Sequence, residues 1–92
     1  MELTSKRRAE LKAKAHDLDS VAQIGKFGVT PEVLTHSDNA LTDHQLIKVK
    51  FIVFKETRRE LSSEIAVATS STLIDVIGNV AIFYRENPET SD

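Results

Sequence analysis

The feature that most restricts the fold of this chain is the way its hydrophobic pattern changes along the sequence. Apolar residues recur every three or four positions in residues 4–15, 31–43 and 56–70, which predicts three helices. Short apolar runs in residues 20–24, 46–54, 73–77 and 80–84 predict four strands. The predicted order is α-β-α-β-α-β-β. Helices join the early strands and a two-residue turn, Gly78-Asn79, joins the last two, so we expect a four-stranded mixed sheet in an α/β fold.

Each predicted element has a face that we expect to lie in the core. For the first helix this face consists of Thr4, Leu11, Ala15 and Leu18. The second helix contributes Val33, Leu34, Ser37, Ala40 and Leu41, and the third contributes Leu61, Ile65 and Ala68. The strand at 46–54 places Ile47, Val49, Phe51 and Val53 on one face and Leu46, Lys48, Lys50 and Ile52 on the other.

The length of 92 residues, 40% of them hydrophobic, is enough for one compact core and too little for two. We expect a single domain over residues 1–86 and a disordered acidic tail over residues 87–92, which contain no apolar residue. No apolar run approaches the length of a membrane span, and cysteine is absent. These features predict a cytoplasmic protein without disulfides or membrane contact, and we expect it to be a monomer.

Catalytic and metal-binding constellations are missing from the sequence pattern. His16, His36 and His44 lack the i, i+4 spacing of a helical zinc site, and there is no GxSxG motif. Acidic pairs such as Asp17 and Asp19 lie at predicted element ends, where capping explains them better than acid–base catalysis. The sequence therefore predicts neither an enzyme nor a cofactor or metal site.

The charge of the chain is strongly polarised, although its net value is only -2. Residues 1–59 contain eleven Lys and Arg against eight acids, a balance of +3, whereas residues 60–92 contain one Arg against six acids, a balance of -5. Because salt screens charges that are more than about 8 Å apart, one face can attract phosphates while another is acidic. Net charge alone does not exclude binding to nucleic acid.

The loop after the first predicted strand is the strongest candidate for a binding site. Gly25, Lys26, Phe27 and Gly28 form a GxxG pattern, and Thr30 is a suitable N-cap for the helix that follows. Glycines allow a partner close to the backbone, and amides at a helix start favour an anion, to which Lys26 adds positive charge. A plain tight turn is the alternative. The longer motifs of nucleotide P-loops and dinucleotide sites are absent, so a nucleic-acid backbone fits this loop better.

The first predicted helix carries a second group of cations around its apolar stripe. This basic collar consists of Lys6, Arg7, Arg8, Lys12 and Lys14. Arg7 and Lys14 flank one side of the stripe, and Arg8 and Lys12 flank the other. An ordinary solvated helix surface explains such a pattern as well as a binding role does.

Four segments of the chain carry a family resemblance: LTSKRRAELKAKAHDL, VAQIGKFGVT, DHQLIKVKF and VIGNVAIFYRE. Together they resemble the CRM domain family, and within it the stand-alone bacterial YhbY-like RNA-binding proteins associated with ribosome maturation. The resemblance covers nearly the whole chain. It implies an α/β fold similar to the C-terminal domain of the third translation initiation factor, and binding to precursor large-subunit ribosomal RNA in pre-ribosomal particles.

Carried over to this chain, the resemblance implies that the GxxG loop and the basic collar contact RNA. Lys48 and Lys50 match the family's LIKVK strand, a pattern that serves sheet packing as well as RNA contact. Relatives usually have a small residue where this chain has Phe27, which could stack on an unpaired base or fold back onto the domain. The alternative function is a protein-interaction module that docks a basic ribosomal protein through the acidic face.

Overall fold

The computed structural model describes residues 3–53 and 56–86, and the expected tail at 87–92 lies outside them. The helices are α1 (Ser5–Ala15), α2 (Pro31–His44) and α3 (Arg58–Thr69). The strands are β1 (Ser20–Ile24), β2 (Leu46–Phe51), β3 (Thr72–Ile77) and β4 (Val80–Tyr84). The predicted order of elements is confirmed.

The four strands form one mixed sheet in the order β1-β2-β4-β3. β1 runs parallel to β2 through the α2 crossover, and β4 is antiparallel to both of its neighbours. The hairpin turn has Gly78 at a φ of +60°, while Asn79 has an ordinary φ, as in a turn of type II′. The mixed sheet and its closing hairpin are those that the sequence predicts.

The helices divide unequally between the two faces of the sheet. α2 and α3 cover one face, where Ile47, Val49 and Phe51 of β2 lie in the main core. α1 packs alone on the other face, burying Leu11 and its neighbours in a second, smaller core. Because successive side chains of a strand alternate between faces, the lysines of β2 share the face of α1.

Two residues of the expected α1 stripe lie outside the core. Thr4 is exposed and is the N-cap, with its hydroxyl accepting a hydrogen bond from the Arg7 amide at 3.0 Å. Leu18 is 38% exposed, because α1 ends at Ala15 and the chain leaves the helical path before it. The expectation that both are buried is wrong, whereas Leu11 and Ala15 are buried as predicted.

β2 is shorter than predicted and ends at Phe51, so Val53 is 37% exposed and does not join the core. Its neighbours set this limit. β1 has ended at Ile24, whose carbonyl accepts a hydrogen bond from the Ile52 amide, and β4 begins at Val80 opposite Lys50. Residue 54, the last of the predicted strand, lies outside the described residues.

α3 buries part of the predicted stripe, because Ile65 lies in the main core and Leu61 packs against it, but the predicted burial of Ala68 is wrong. Ala68 is exposed, and the inner face consists of Ser62, Ile65, Ala66 and Thr69. The two hydroxyl groups are accommodated because Ser62 donates to the Arg58 carbonyl at 2.6 Å and Thr69 donates to the Ile65 carbonyl at 2.7 Å. The apolar spacing of α3 does not include Ser62 or Thr69, although the same spacing places the polar Ser37 of α2 in the core correctly.

Candidate nucleic-acid interface

The GxxG segment forms a tight turn at the end of β1, immediately before α2. The Gly28 amide donates a hydrogen bond to the Gly25 carbonyl at 3.0 Å, which leaves Lys26 and Phe27 at the tip. Phe27 is 80% exposed, so its ring does not pack on the domain, and the Lys26 ammonium lies 5.2 Å from the centre of that ring. Thr30 caps α2 as predicted, accepting a hydrogen bond from the Val33 amide at 3.2 Å. The turn therefore presents a cation and an aromatic ring to solvent.

The sheet brings a second lysine beside this turn. Lys50 on β2 pairs with Gln23 on β1. Gln23 precedes Lys26 by three residues, so the Cα atoms of these two residues are at most about 11 Å apart. Lys50 is exposed, whereas Lys48 is half-buried in a small crevice that also involves His16 and Lys12 at the end of α1. Of the two strand lysines, Lys50 is the better placed to share a ligand with the GxxG turn.

The basic collar of α1 divides into two sides, as its helical spacing predicts. Arg7 and Lys14 lie on the side that faces the starts of β1 and β2. The Arg7 guanidinium lies 5.5 Å from the centre of the Tyr84 ring, and a hydrogen bond to the Tyr84 hydroxyl, assisted by Glu10, raises the pKa of Arg7. Lys6 and Lys14 are exposed, and among the described residues neither forms an ion pair.

Arg8, on the other side of the collar, is engaged inside the protein. Its guanidinium donates to the backbone carbonyls of Leu73 and Ile74 on β3, at 3.1 and 2.9 Å. The pairing of β3 with β4 is irregular at this point, between Leu73 and Asp75. Arg8 thus satisfies carbonyls at a β-bulge and fastens α1 to the sheet, a role that the sequence does not reveal.

Lys12 is also engaged with β3. Its ammonium lies 3.0 Å from the Asp75 carboxylate, which Arg59 of α3 approaches from the other side at 3.5 Å. The hydrogen bond from Lys12 is the main reason that the pKa of Asp75 lies below its ordinary value. This ion-pair cluster links α1, β3 and α3 and leaves less of the Lys12 charge for a ligand.

Two cations of α3 were not among the residues selected from the sequence. Arg58 donates a hydrogen bond to the Gly78 carbonyl in the hairpin turn, and Arg59 keeps 68% of its side chain exposed. The two arginines are consecutive residues at the start of α3. This adjacency is the one sequence signal that could have indicated a role for them. Arg59 adds an exposed cation beside Asp75 on β3.

The described residues contain no cluster of three or more histidines and acids that could hold a metal ion. His16 caps the end of α1, while His36 and His44 lie on α2, and all three side chains are exposed. Within the same ranges, no helix combines the length and apolar character that crossing a bilayer requires.

Fold and surface together define a small α/β domain with a cationic turn at the end of its parallel strand pair. Residues 3–85 match the model of the CRS1 / YhbY (CRM) domain. The chain belongs to this family, as the resemblance of its motifs predicts.

Several relatives are similar over almost their whole length. A protein of Pseudomonas aeruginosa named a probable RNA-binding protein is 37% identical over 97% of this chain and 86% of its own. An RNA-binding protein of Haemophilus influenzae is 35% identical, over 95% of this chain and 89% of its own. A solution structure from Staphylococcus aureus, described as a candidate RNA-binding protein, superposes with a TM-score of 0.82 at 35% identity and covers 98% of this chain and 95% of its own.

Proposed function

We propose that this protein binds structured RNA through the GxxG turn and the lysines beside it. The observation that carries the proposal is the exposed turn, with Lys26 and Phe27 at its tip, next to Lys50 on the neighbouring strand and the start of α2. Cations grip phosphates, and a solvent-exposed ring stacks on unpaired bases, each stack contributing about 1–3 kcal/mol. Relatives named RNA-binding proteins support the same function.

The RNA that we propose is precursor large-subunit ribosomal RNA, bound in the cytoplasm during ribosome assembly. The resemblance to YhbY-like proteins supports this choice of partner. In the binding surface we include the GxxG turn, Lys50 and two exposed residues of the basic collar, Lys6 and Lys14. Arg7 is included as well, because 37% of its side chain is exposed although it contacts Glu10 and Tyr84. Arg8, Lys12 and Lys48 contribute less, because each has structural contacts or is half-buried.

We infer a binding function without catalysis. The three histidines are exposed, His16 at the end of α1 and the other two eight residues apart on α2. The described acids that carry strong interactions, Asp75 and Asp38, serve ion pairs with Lys12 and Arg85. A nucleophile, a base and an orienting group are not brought together within residues 3–53 and 56–86, so no reaction can be assigned to them.

The test is binding of the purified protein to large-subunit rRNA fragments across a salt series. We expect Lys26→Glu and Lys50→Glu each to weaken binding at least about tenfold, or about 1.4 kcal/mol. Each should also reduce the slope of log affinity against log salt by about one, because one phosphate contact is lost. Circular dichroism checks that the variants are folded.

The matched control is Asn39→Glu combined with Ser63→Glu, which changes the net charge by the same two units on exposed positions of α2 and α3. These helices lie on the other face of the sheet, so affinity should change less than threefold. Equal losses in the control and the turn variants would show that only net charge matters, and the proposed surface would be wrong. If the wild type fails to bind RNA at low salt, the alternative of a basic protein partner takes precedence.

A further inference from the structure

A cleft of about 520 Å³ opens on the side of α1 that faces the starts of β1 and β2. This volume lies within the range of about 300–1,000 Å³ that small-molecule sites occupy. Leu11 forms the buried part of its wall, and Leu18 and Val21 form the more open part. Leu18, a residue whose spacing predicts burial, lines this opening with an exposed side chain.

The polar groups around the cleft have the chemistry of a nucleotide site. Arg7 presents a guanidinium that Tyr84 and Glu10 hold in position, and Arg guanidinium planes are surfaces on which nucleobases stack. The exposed side chain of Lys14 can reach a phosphate, and Asp19 offers a carboxylate that accepts hydrogen bonds. The opening is therefore surrounded by a cation, a guanidinium plane for stacking, an apolar wall and a hydrogen-bond acceptor.

The cleft is separate from the GxxG turn. Asp19 and Val21 lie at the start of β1, whereas the turn follows its end at Ile24. Five residues of extended strand span about 16 Å, which corresponds to roughly five stacked nucleotides. One RNA segment is long enough to occupy both places.

We propose that this cleft binds a single nucleotide with a guanine base. The base lies against Arg7 and Leu18, its phosphate pairs with Lys14, and the Asp19 carboxylate accepts hydrogen bonds from the Watson–Crick edge. Guanine presents two adjacent donors, N1–H and the N2 amino group, which match the two carboxylate oxygens. Uracil presents one donor between two carbonyl oxygens that a carboxylate repels. The proposal deepens the RNA-binding function by naming what one part of the surface recognises, and it can fail independently of that function.

The experiment is an amide chemical-shift titration of the full chain by nuclear magnetic resonance. The probes are 5′-GMP, 5′-UMP, guanosine, inorganic phosphate, and two hexanucleotides that differ only in a central G or U. We expect 5′-GMP or the G-containing hexanucleotide to shift the amides of Leu18, Asp19 and Val21. Its dissociation constant should be at least threefold lower than that of its uracil counterpart. A response to 5′-GMP assigns the cleft to free nucleotides as well as RNA, and a response to the hexanucleotide alone assigns it to an RNA chain.

Two variants test the assigned contacts. Lys14→Ala should weaken binding of 5′-GMP, or of the hexanucleotide if only that binds, at least threefold, while Asp19→Asn should remove the preference for guanine. The matched control for Lys14→Ala is Ala9→Glu, which makes the same change in net charge at an exposed position of α1. It should change affinity less than twofold.

Other outcomes overturn the proposal. If inorganic phosphate causes the same shifts as 5′-GMP, the cleft is an anion site without base recognition. If the hexanucleotides shift the amides of Lys26 and Gly28 and leave those of the cleft unchanged, RNA binding stands and the nucleotide site does not. If no probe shifts either set of amides, the nucleotide site is wrong, and titration with the large-subunit rRNA fragments decides separately whether the protein binds RNA.

Discussion

The two glycines of the GxxG turn make different demands on the backbone. Gly28 has a φ of +70°, where a side chain costs about 1–2 kcal/mol, whereas Gly25 lies outside that region and a Cβ added to it would meet nothing within 4 Å. Gly28→Ala should therefore lower the free energy of unfolding by about 1–2 kcal/mol. Gly25→Ala should change it by less than about 0.5 kcal/mol. Urea denaturation of the two variants measures the difference.

RNA binding should respond differently to the same pair. If a phosphate approaches the backbone at the turn, the methyl group of Gly25→Ala stands in its way, and affinity should fall although the fold is intact. Unchanged affinity for large-subunit rRNA fragments in Gly25→Ala would mean that the first glycine serves the turn alone. Binding by Gly28→Ala is compared at a temperature where both variants are fully folded.

Arg8 distinguishes a structural cation from a binding one. Its removal leaves the Leu73 and Ile74 carbonyls without their charged donor, and a hydrogen bond to a charged group contributes about 1.5–3 kcal/mol net. Water can reach this half-buried site and replace part of that contribution. We expect Arg8→Ala to lower the free energy of unfolding by about 1–3 kcal/mol, against less than about 0.5 kcal/mol for Lys6→Ala at an exposed position. Chemical denaturation measures the free energy of unfolding of both variants. Equal stabilities of Arg8→Ala and Lys6→Ala would contradict the anchoring role of Arg8.

For single residues, the sequence shows which side chains are cations, but it does not show whether each cation contacts the protein itself or is available to a ligand. The helical spacing assigns Arg8 and Lys12 to one side of α1 correctly. It cannot show that this side faces a bulge and a carboxylate on β3, because both lie more than sixty residues further along the chain. The GxxG turn could be recognised because its glycines and the cap at Thr30 are all local signals.

The ion-pair cluster around Asp75 joins three elements and should make their packing sensitive to acid. Lys12 and Arg59 keep the pKa of Asp75 below its ordinary value, so the charged form is favoured in the folded protein. The contribution to stability is complete well above the unfolded pKa of about 3.9 and is lost as the pH falls through it toward the lower folded pKa. We expect Asp75→Asn to lose less stability than the wild type between about pH 5 and pH 3.

Urea midpoints at several pH values test this expectation, with Glu64→Gln on the exposed surface of α3 as the control. The control should follow the wild-type pH dependence. Parallel curves for wild type and Asp75→Asn would show that the cluster adds nothing to stability. The effect should also shrink at high salt, because the Lys12 and Arg59 side chains are 42% and 68% exposed.

Elements with strong periodicity could be predicted closely. β1 has its predicted bounds, and α2 ends one residue later than expected. The prediction failed where tertiary contacts set the limits: β2 stops where its partners do, and α3 buries hydroxyl groups whose partners are its own carbonyls. Neither cause leaves a signal in hydrophobic spacing.

The whole molecule should be a monomer in solution. The sheet has two edges, and both are poor templates for pairing with another chain: β1 has five residues, and β3 carries a bulge whose carbonyls accept from Arg8. Sedimentation equilibrium at micromolar concentrations should give a single species of about 10 kDa. A concentration-dependent dimer would mean that one of these edges, or the open face beside α1, is an interface.

The position of α1 has a consequence for how the chain matures. This helix leaves the ribosome before the sheet does, and Arg8 and Arg7 find their partners 65 to 77 residues later, on the β3–β4 hairpin. Translation proceeds at about 5–20 residues per second, so α1 spends several seconds without the sheet on which it packs. The cleft between α1 and the sheet cannot exist during that time. A growing chain can thus complete the GxxG turn early, but recognition by the whole surface begins only after synthesis has reached β4.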